Sequence, residues 1–352
     1  MAERIVWIDV AKGVAMLAIV FGHTVDMGLW KIWVYSFHVP LFFILSGMTF
    51  RARGGFRQYC ASKAKRVLVP YFCFGFASIL VFGIAGQYAA SVLGREDIDT
   101  AIALNAVGLV YGNGKNGMMD FNLPLWFLPC IFVVYLMAYL VSQLEAKYAR
   151  SEGKVQIAVG ALSIAASFCM TLLCPIPALP FSIENAIVLF PFFYLGTRMG
   201  RVDWTAFPSS KRLLVGVLMF AFGSMAAALN AQYGIVDYVA TACRLYPLFL
   251  AAALLQSCGL VVLLSACGSS SCVAYIGRRT MPILVMHKFP VVLIQIVLSG
   301  VTLSGSHILA NPLVALLSSM VAIALCLLVN CVLARWVPWV FGEGRKRESL
   351  QR

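Results

Sequence analysis

The first apolar stretch of the sequence carries three side chains that could do chemistry, Asp9, Lys12 and His23. On an α-helix that turns about 100° per residue, Lys12 and His23 project within about 20° of each other, and Asp9 lies about 40° from His23. The three therefore share one stripe, with Lys12 and His23 about 16 Å apart along it. An ammonium group can bind phosphate or carboxylate, and an imidazole takes and gives a proton near neutral pH. A structural alternative stays open, in which Asp9 and Lys12 form a stabilising ion pair and His23 is hydrogen-bonded to a neighbour.

The second apolar stretch, residues 32–50, adds His38 and Ser46. A turn at residues 27–31 joins it to the first stretch, so we expect an antiparallel helical hairpin with His23 and His38 at similar depth. Two imidazoles could hold a metal ion, but no third ligand lies near them in the sequence, so we predict no metal site.

Further polar side chains interrupt later apolar stretches, and ionisable groups inside a bilayer are costly enough to be candidates for function. These later candidates are Trp126, Glu184, Arg244 and His287. Structural interpretations stay open as well, because Trp is common at membrane interfaces and a carboxylate suits the start of a helix. Arg244 could mark a helix end, and for His287 a functional and a structural role are equally open.

Composition predicts the elements that must position these residues. The chain has 352 residues, of which 61% are hydrophobic and only 12% charged, about half the charged share of a soluble domain. A surface this apolar needs hydrocarbon as its solvent, and a helix needs about 20 apolar residues to cross a bilayer. The sequence therefore predicts an all-α, polytopic transmembrane helical bundle. About ten apolar stretches follow one another, at 6–26, 32–50, 68–92, 123–143, 155–174, 182–199, 213–230, 244–266, 281–303 and 312–334.

The basic residues predict the orientation of this bundle. With a cytoplasmic N-terminus, the cytoplasmic segments hold 21 of the 27 Lys and Arg residues and the outer loops only three, as the positive-inside rule requires. We therefore expect both termini in the cytoplasm and the chain in the inner cell membrane, with a membrane domain at 1–340 and a basic tail at 341–352. The net charge of +13 is spread over short clusters without a continuous basic face, so we predict no nucleic-acid partner.

Two motifs resemble the acyltransferase-3 family. The spacing Lys12-x10-His23 is followed by Phe-His-Val-Pro-Leu-Phe-Phe-Ile-Leu-Ser-Gly at residues 37–47. The segment Trp-Ile-Asp-Val-Ala-Lys-Gly at residues 7–13 is most similar to the fucose 4-O-acetylase-like branch of that family. The resemblance is strong over residues 4–71 and weak elsewhere, and the ten core helices common in the family agree with the count of apolar stretches.

The resemblance implies a membrane O-acyltransferase. Such an enzyme takes an acyl group, here expected to be acetyl, from cytoplasmic acyl-CoA and gives it to a sugar hydroxyl of a cell-surface or lipid-linked glycan. Acetyl-CoA is then a co-substrate, no cofactor stays bound, and the other partners are the glycan acceptor and the lipid bilayer. His23 would be the general base or carry the acyl group transiently, and His38 would orient it or donate to the oxyanion.

The remaining candidates are divided between the two substrates under this interpretation. The donor side comprises Asp9, Lys12, Arg66 and His287. The acceptor side comprises Ser46, Trp126, Glu184 and Arg244. The alternative is a multi-pass transporter or flippase of a glycan or lipid-linked sugar, which also needs many helices and buried charges. No symmetric pair of broken helices is visible in the sequence, which favours the acyltransferase.

Overall fold

The computed structural model of the chain describes residues 5–88, 101–173, 176–267, 270–301 and 308–342. These residues form helices joined by turns and loops, and they contain no β-strand beyond an isolated bridge between Asp237 and Ala242. The prediction of an all-α bundle is therefore confirmed. Numbered in chain order, the α-helices in the described residues are α1 (Val6–Thr24), α2 (Leu29–Tyr35), α3 (His38–Met48), α4 (Phe56–Ser78), α5 (Ile102–Tyr111), α6 (Phe127–Lys147), α7 (Glu152–Leu172), α8 (Ile183–Met199), α9 (Ser209–Ala231), α10 (Tyr246–Ala266), α11 (Ser271–Gly277), α12 (Thr280–Met286), α13 (Lys288–Val301) and α14 (Pro312–Trp336).

The described residues contain eight helical segments that are long and apolar enough to cross a bilayer, or nine with one bent pair, and they match predicted stretches. The pair α12 and α13 forms a further span that is bent by 49° where the sequence predicts one stretch over 281–303. Within the described residues, eight other helical segments qualify by length and composition, at Val6–Thr24, Leu29–Met48, Phe56–Tyr88, Asp120–Lys147, Gly153–Leu172, Ser209–Ala231, Tyr246–Ala266 and Pro312–Trp336.

The remaining predicted stretch, residues 182–199, is α8, and it differs from the others. It is 17 residues long, shorter than each of these eight segments. Every position from Val188 to Tyr194 is buried, so this helix lies inside the bundle and has no lipid-facing side over that run. An all-round apolar helix is the pattern expected of such a core element.

α8 packs on α3 with the two backbones in direct contact. Cβ atoms placed on Gly47 of α3 and Gly196 of α8 would overlap the carbonyl groups of Phe193 and Ile44. Small residues let helices approach this closely in membranes, where van der Waals packing drives helix association. The contact fixes α3, and therefore His38, against the core of the bundle.

α1 is a central helix of the bundle and packs against α3, α10, α11 and α14. Gly13 lies so close to Val273 of α11 that a Cβ atom would overlap its carbonyl group. Because helices surround α1, its polar residues face protein or internal cavities, as the predicted stripe requires.

The second predicted helix is broken instead of continuous. It consists of α2 and α3, with Phe37 as the N-cap of α3. In a continuous helix the ring of Pro40 would clash with the carbonyl group of Ser36. The break therefore falls just before His38 and makes it the first residue of α3.

The orientation of the bundle, the cytoplasmic termini and the inner-membrane location stay predictions. So does the domain boundary at residue 340. Residues 343–352, which make up most of the predicted basic tail, lie outside the described residues.

Candidate active site

A cavity of about 230 Å³, which we call the histidine cavity, lies beside the end of α1. Six elements enclose it: α1, α2, α3, the segment Asp120–Phe127, the loop between α9 and α10, and α12. Its polar and aromatic lining comprises His23, Lys31, Tyr35, His38, Trp126, Asp237 and Tyr238. The structure thus brings His23, His38 and Trp126 into the lining of one cavity.

The hydrogen bond of His38 fixes its tautomer. Nδ1 lies 2.8 Å from the carbonyl oxygen of Val34, in the last turn of α2. A carbonyl oxygen can only accept, so Nδ1 carries the proton and Nε2 keeps a lone pair in the neutral ring. A neutral His38 can therefore accept a hydrogen bond at Nε2 or act as a base there, but it cannot donate to an oxyanion from that atom.

His23 has a different environment. Neither of its ring nitrogens is hydrogen-bonded to another described residue, and the ring lies 6.2 Å from the ring of Tyr35. Tyr35 in turn lies 4.8 Å from the ring of His38. The two imidazoles therefore share one cavity with an aromatic ring beside both of them.

His287 stands at the bend between α12 and α13 and is fully buried. Its Nδ1 donates to the carbonyl oxygen of Leu284 at 2.8 Å, and its ring centroid lies 5.2 Å from that of His23. Its Nε2 has no hydrogen-bond partner among the described residues. The sequence predicted His287 on the donor side with Lys12, and this role stays a prediction; the structure places its ring against that of His23.

A second cavity of about 140 Å³, which we call the lysine cavity, lies beside Lys12. Lys12 Nζ donates to Thr49 Oγ1 at 3.4 Å, and Ser46 and Tyr135 line the same cavity. Ser46, predicted on the acceptor side, is therefore with Lys12 and away from Trp126.

The two cavities adjoin. Phe127 and Leu284 line both of them. A path along α1 from Lys12 to His23 therefore crosses one partition made by these two side chains.

The other predicted donor residues flank the lysine cavity or are buried near it. Arg66 is exposed on α4 and precedes Val67, which lines the cavity. Asp9 is 6% exposed and its backbone carbonyl abuts Gly277 of α11. Lys63 was not among the predicted residues, and its Nζ lies 3.8 Å from the ring centroid of Tyr135.

Glu184, predicted to bind the acceptor, lies outside the lining of the histidine cavity. It is fully buried and pairs with Lys115 at 3.3 Å. The carboxylate also accepts from Asn113 Nδ2 at 2.7 Å and from the backbone N–H of Leu179 at 3.3 Å. These bonds hold the segment after α5 against the start of α8, which indicates a structural role for Glu184.

Arg244, also predicted to bind the acceptor, is exposed and does not line the histidine cavity. Its φ is +64°, in the left-handed region that few residues other than glycine adopt. Nε donates to the carbonyl oxygen of Ile235 at 2.6 Å, and Ile235 lines the cavity. Arg244 thus supports the loop that forms one wall of the site.

Tyr238, which was not among the predicted residues, also enters the cavity from this loop. Asp237 shapes the loop through paired backbone bonds with Ala242 at 2.9 and 2.8 Å. The hydroxyl of Tyr238 is buried without a hydrogen-bond partner among the described residues, and its ring lies 6.0 Å from that of His38. Burial raises the pKa of this phenol well above its usual range, so it keeps its proton and can donate.

No three His, Cys, Asp or Glu side chains in the described part of the chain form a group suited to a metal ion. A family model described as an acyltransferase domain, acyltransferase-3, matches residues 5–331. Neither the curated proteins nor the solved structures contain a match to this chain.

Proposed function

Because this chain belongs to the acyltransferase-3 family and is a multi-pass membrane acyltransferase, we propose that it moves an acetyl group from acetyl-CoA to a sugar hydroxyl. The proposed acceptor is a cell-surface or lipid-linked glycan, and the donor enters from the cytoplasmic side. One observation carries the proposal. The lysine and histidine cavities adjoin along α1, with Lys12 in one and the imidazoles of His23 and His38 in the other.

The lysine cavity suits the thioester end of the donor. A CoA thioester has a thin, flexible arm with its reactive carbonyl at the tip and its phosphates far behind. Lys12 and Ser46 offer donors along the arm, and Lys63 and Arg66 add positive charge nearby. The tip would reach Phe127 and Leu284, where the two cavities meet.

The histidine cavity suits a polyhydroxylated acceptor. Trp126 and Tyr35 present aromatic faces, and Asp237 adds a carboxylate that can accept from hydroxyl groups. A few directional polar groups among apolar walls are typical of small-molecule sites. The lone pair on His38 Nε2 would accept from one hydroxyl and so orient the sugar.

In the proposed reaction His23 takes the proton from the acceptor hydroxyl as the oxygen attacks the thioester carbonyl. The new C–O bond gives a tetrahedral oxyanion, to which the Tyr238 hydroxyl donates. The intermediate collapses as the C–S bond breaks, and the leaving thiolate takes the proton back from His23. The products are the acetyl ester and free CoA, and no redox partner is required.

A transporter or flippase remains the alternative class. The bend between α12 and α13 is the kind of helix break that transporters use. Proton-transfer groups in the histidine cavity and the family assignment favour the transferase. Only the transferase consumes thioester, so the two classes differ in a measurable product.

The test is release of CoA by the purified protein in lipid nanodiscs. Acetyl-CoA is supplied together with glycans from the producing cell. The release of free thiol is followed with a chromogenic reagent, and the masses of the glycans are measured by mass spectrometry. We expect acceptor-dependent CoA release, a gain of one acetyl mass, and a rate about 10²- to 10⁴-fold lower in His23→Ala.

The control is Lys211→Ala, an exposed cation of α9 away from the cavities, which should keep the full rate. A His23→Ala enzyme with the wild-type rate would remove His23 from the chemistry. Absence of CoA release by the wild-type protein with all acceptors would overturn the proposed function.

A further inference from the structure

A third cavity of about 470 Å³ lies where the ends of α3, α6 and α8 meet, and it is larger than the histidine or lysine cavity. We call it the arginine cavity because three guanidinium groups line it, those of Arg51, Arg198 and Arg201. Glu145 is the carboxylate in the lining, so the cations outnumber the anion. Guanidinium groups gathered around one cavity give it a positive potential that attracts anions.

Arg198 is held rigidly in this cavity. Its Nη2 donates to both oxygens of Glu145, at 2.9 and 3.0 Å, and its Nε donates to Thr197 Oγ1 at 3.1 Å. The hydroxyl of Tyr194 donates to the same carboxylate at 2.6 Å. The guanidinium plane is therefore set before any ligand arrives.

The remaining guanidinium nitrogen of Arg198, Nη1, is evidence that the cavity takes a ligand. Nη1 is buried and has no hydrogen-bond partner among the described residues. A buried donor on a charged group is costly to leave unsatisfied. An anion in the cavity would accept from it.

The anion that fits is a phosphate ester. Guanidinium groups bind phosphate through parallel N–H···O bonds, and Arg is the preferred residue for this recognition. Arg51 and Arg201 lie on the α3 and α8 sides of the cavity and are exposed enough to close on a ligand.

The arginine cavity and the lysine cavity are lined by consecutive residues of the segment that follows α3. Thr49 lines the lysine cavity, and the next two residues, Phe50 and Arg51, line the arginine cavity. At 140 Å³ the lysine cavity is smaller than the roughly 300–1,000 Å³ of sites for drug-sized ligands. The arginine cavity falls within that range.

We propose that the arginine cavity is a phosphate-binding site and that it holds the phosphate-bearing nucleotide end of the thioester donor. The second part rests on the proposed function, and the first does not. An anionic lipid headgroup carries the same chemistry and is the other source of phosphate at this end of the bundle. The arm of the donor would pass Phe50 and Thr49 to reach the lysine cavity.

The experiment measures binding of adenosine 3′,5′-bisphosphate, which carries phosphates of the donor without its thioester, to the full chain in phosphatidylcholine nanodiscs. The variants are Arg51→Ala and Arg201→Ala, because Arg198→Ala would leave Glu145 buried without its partner and endanger folding. Each should weaken binding at least about tenfold, the loss of one charge-assisted hydrogen bond. Arg53→Ala, an exposed neighbour outside the cavity lining, should bind like the wild type.

A second experiment tests whether the bound phosphate comes from a lipid headgroup or from the nucleotide. Native mass spectrometry from nanodiscs with phosphatidylglycerol counts the lipids retained by the wild type and by the Arg51→Ala, Arg201→Ala double variant. If the wild type retains phosphatidylglycerol that the double variant loses, and the wild type does not bind the nucleotide, the site belongs to a lipid headgroup. That result overturns the donor assignment. If neither ligand depends on these arginines, the phosphate site itself is overturned.

The outcome is separable from that of the proposed function. If the wild type acetylates an acceptor and both variants keep its KM for acetyl-CoA, the donor assignment fails while the acetyltransferase stands. If the wild type consumes no thioester, the binding measurements still decide whether the cavity takes phosphate.

Discussion

Four buried side-chain atoms in the described residues have no hydrogen-bond partner, and three of them lie at the sites argued above. They are the Tyr238 hydroxyl, Nε2 of His287 and Nη1 of Arg198. Buried polar atoms are paired in the great majority of cases, so each exception needs a reason. At these three positions the reason we infer is function, because each atom belongs to a side chain that lines a cavity or lies against the His23 ring.

The Tyr238 hydroxyl gives a prediction in which stability and activity separate. Tyr238→Phe removes a buried polar group that makes no protein hydrogen bond, so the melting temperature should stay the same or rise. The oxyanion loses its donor, so kcat should fall about 10²- to 10³-fold. Thermal unfolding and CoA release on the same sample check both halves.

Tyr246→Phe is the matched control for that variant. Its hydroxyl donates to the carbonyl oxygen of Ile164 at 3.3 Å, outside the histidine cavity. This variant should lose about 1 kcal/mol of stability and keep its kcat. A Tyr238→Phe enzyme with unchanged kcat would show that the phenol does not serve the reaction.

The sequence singled out Lys12, His23 and His38, which helices position, but not Tyr238, which a loop positions, or Lys63 of α4. Lys12, His23 and His38 follow from helical geometry, because spacing on a helix fixes direction. Tyr238 lies in a loop between two spans, where periodicity carries no information. Glu184 was visible as a costly charge, but its partner Lys115 is 69 positions away in the sequence and only the fold pairs them.

At the scale of elements, the Lys115–Glu184 pair ties the segment after α5 to the start of α8. Lys115→Met should cost about 3–5 kcal/mol, because it leaves a buried carboxylate without its cation. Adding Glu184→Gln removes the second charge and keeps an oxygen for Asn113, so most of the stability should return. Chemical unfolding of the two variants in detergent measures this recovery.

The same double variant tests whether Glu184 binds the acceptor. Since Glu184 does not line the histidine cavity, the Lys115→Met, Glu184→Gln enzyme should keep the wild-type KM for the acceptor. A large rise in that KM in a stably folded double variant would return Glu184 to the acceptor site.

The contact between α3 and α8 gives a second prediction at this scale. Gly196→Ala forces a methyl group into the backbone of Ile44, and overpacking of this kind costs about 1–3 kcal/mol. Gly160→Ala on α7 is the control, because its nearest neighbour would be a Tyr194 ring atom at 4.0 Å. That change should be neutral or gain about 0.5–1 kcal/mol from helix propensity. Equal melting temperatures for the two variants would contradict the close crossing.

At the scale of the whole molecule, hydropathy predicted which residues form the apolar helices. It did not predict whether a helix faces lipid or is buried among other helices. The stretch 182–199 was located correctly, yet α8 is a short helix buried over its centre. A helix packed among apolar helices and one facing lipid have the same composition, because both environments are apolar. The bend at His287 was equally invisible, since residues 281–303 read as one apolar run.

Under the proposed function the acyl group passes between the two adjoining cavities, so the side chains of the partition between them should set which acyl groups pass. Leu284 lines both cavities, so Leu284→Ala removes most of its side chain from the partition. Acetyl transfer needs little room there, whereas a butyryl group adds two methylene groups. The ratio of butyryl to acetyl transfer should therefore rise about tenfold, the scale on which one or two methylenes are discriminated in an apolar pocket.

Competition between butyryl-CoA and acetyl-CoA measures this ratio independently of protein yield. Leu293→Ala on the exposed face of α13 should leave it unchanged. An unchanged ratio in Leu284→Ala as well would mean that the acyl group does not cross between Phe127 and Leu284.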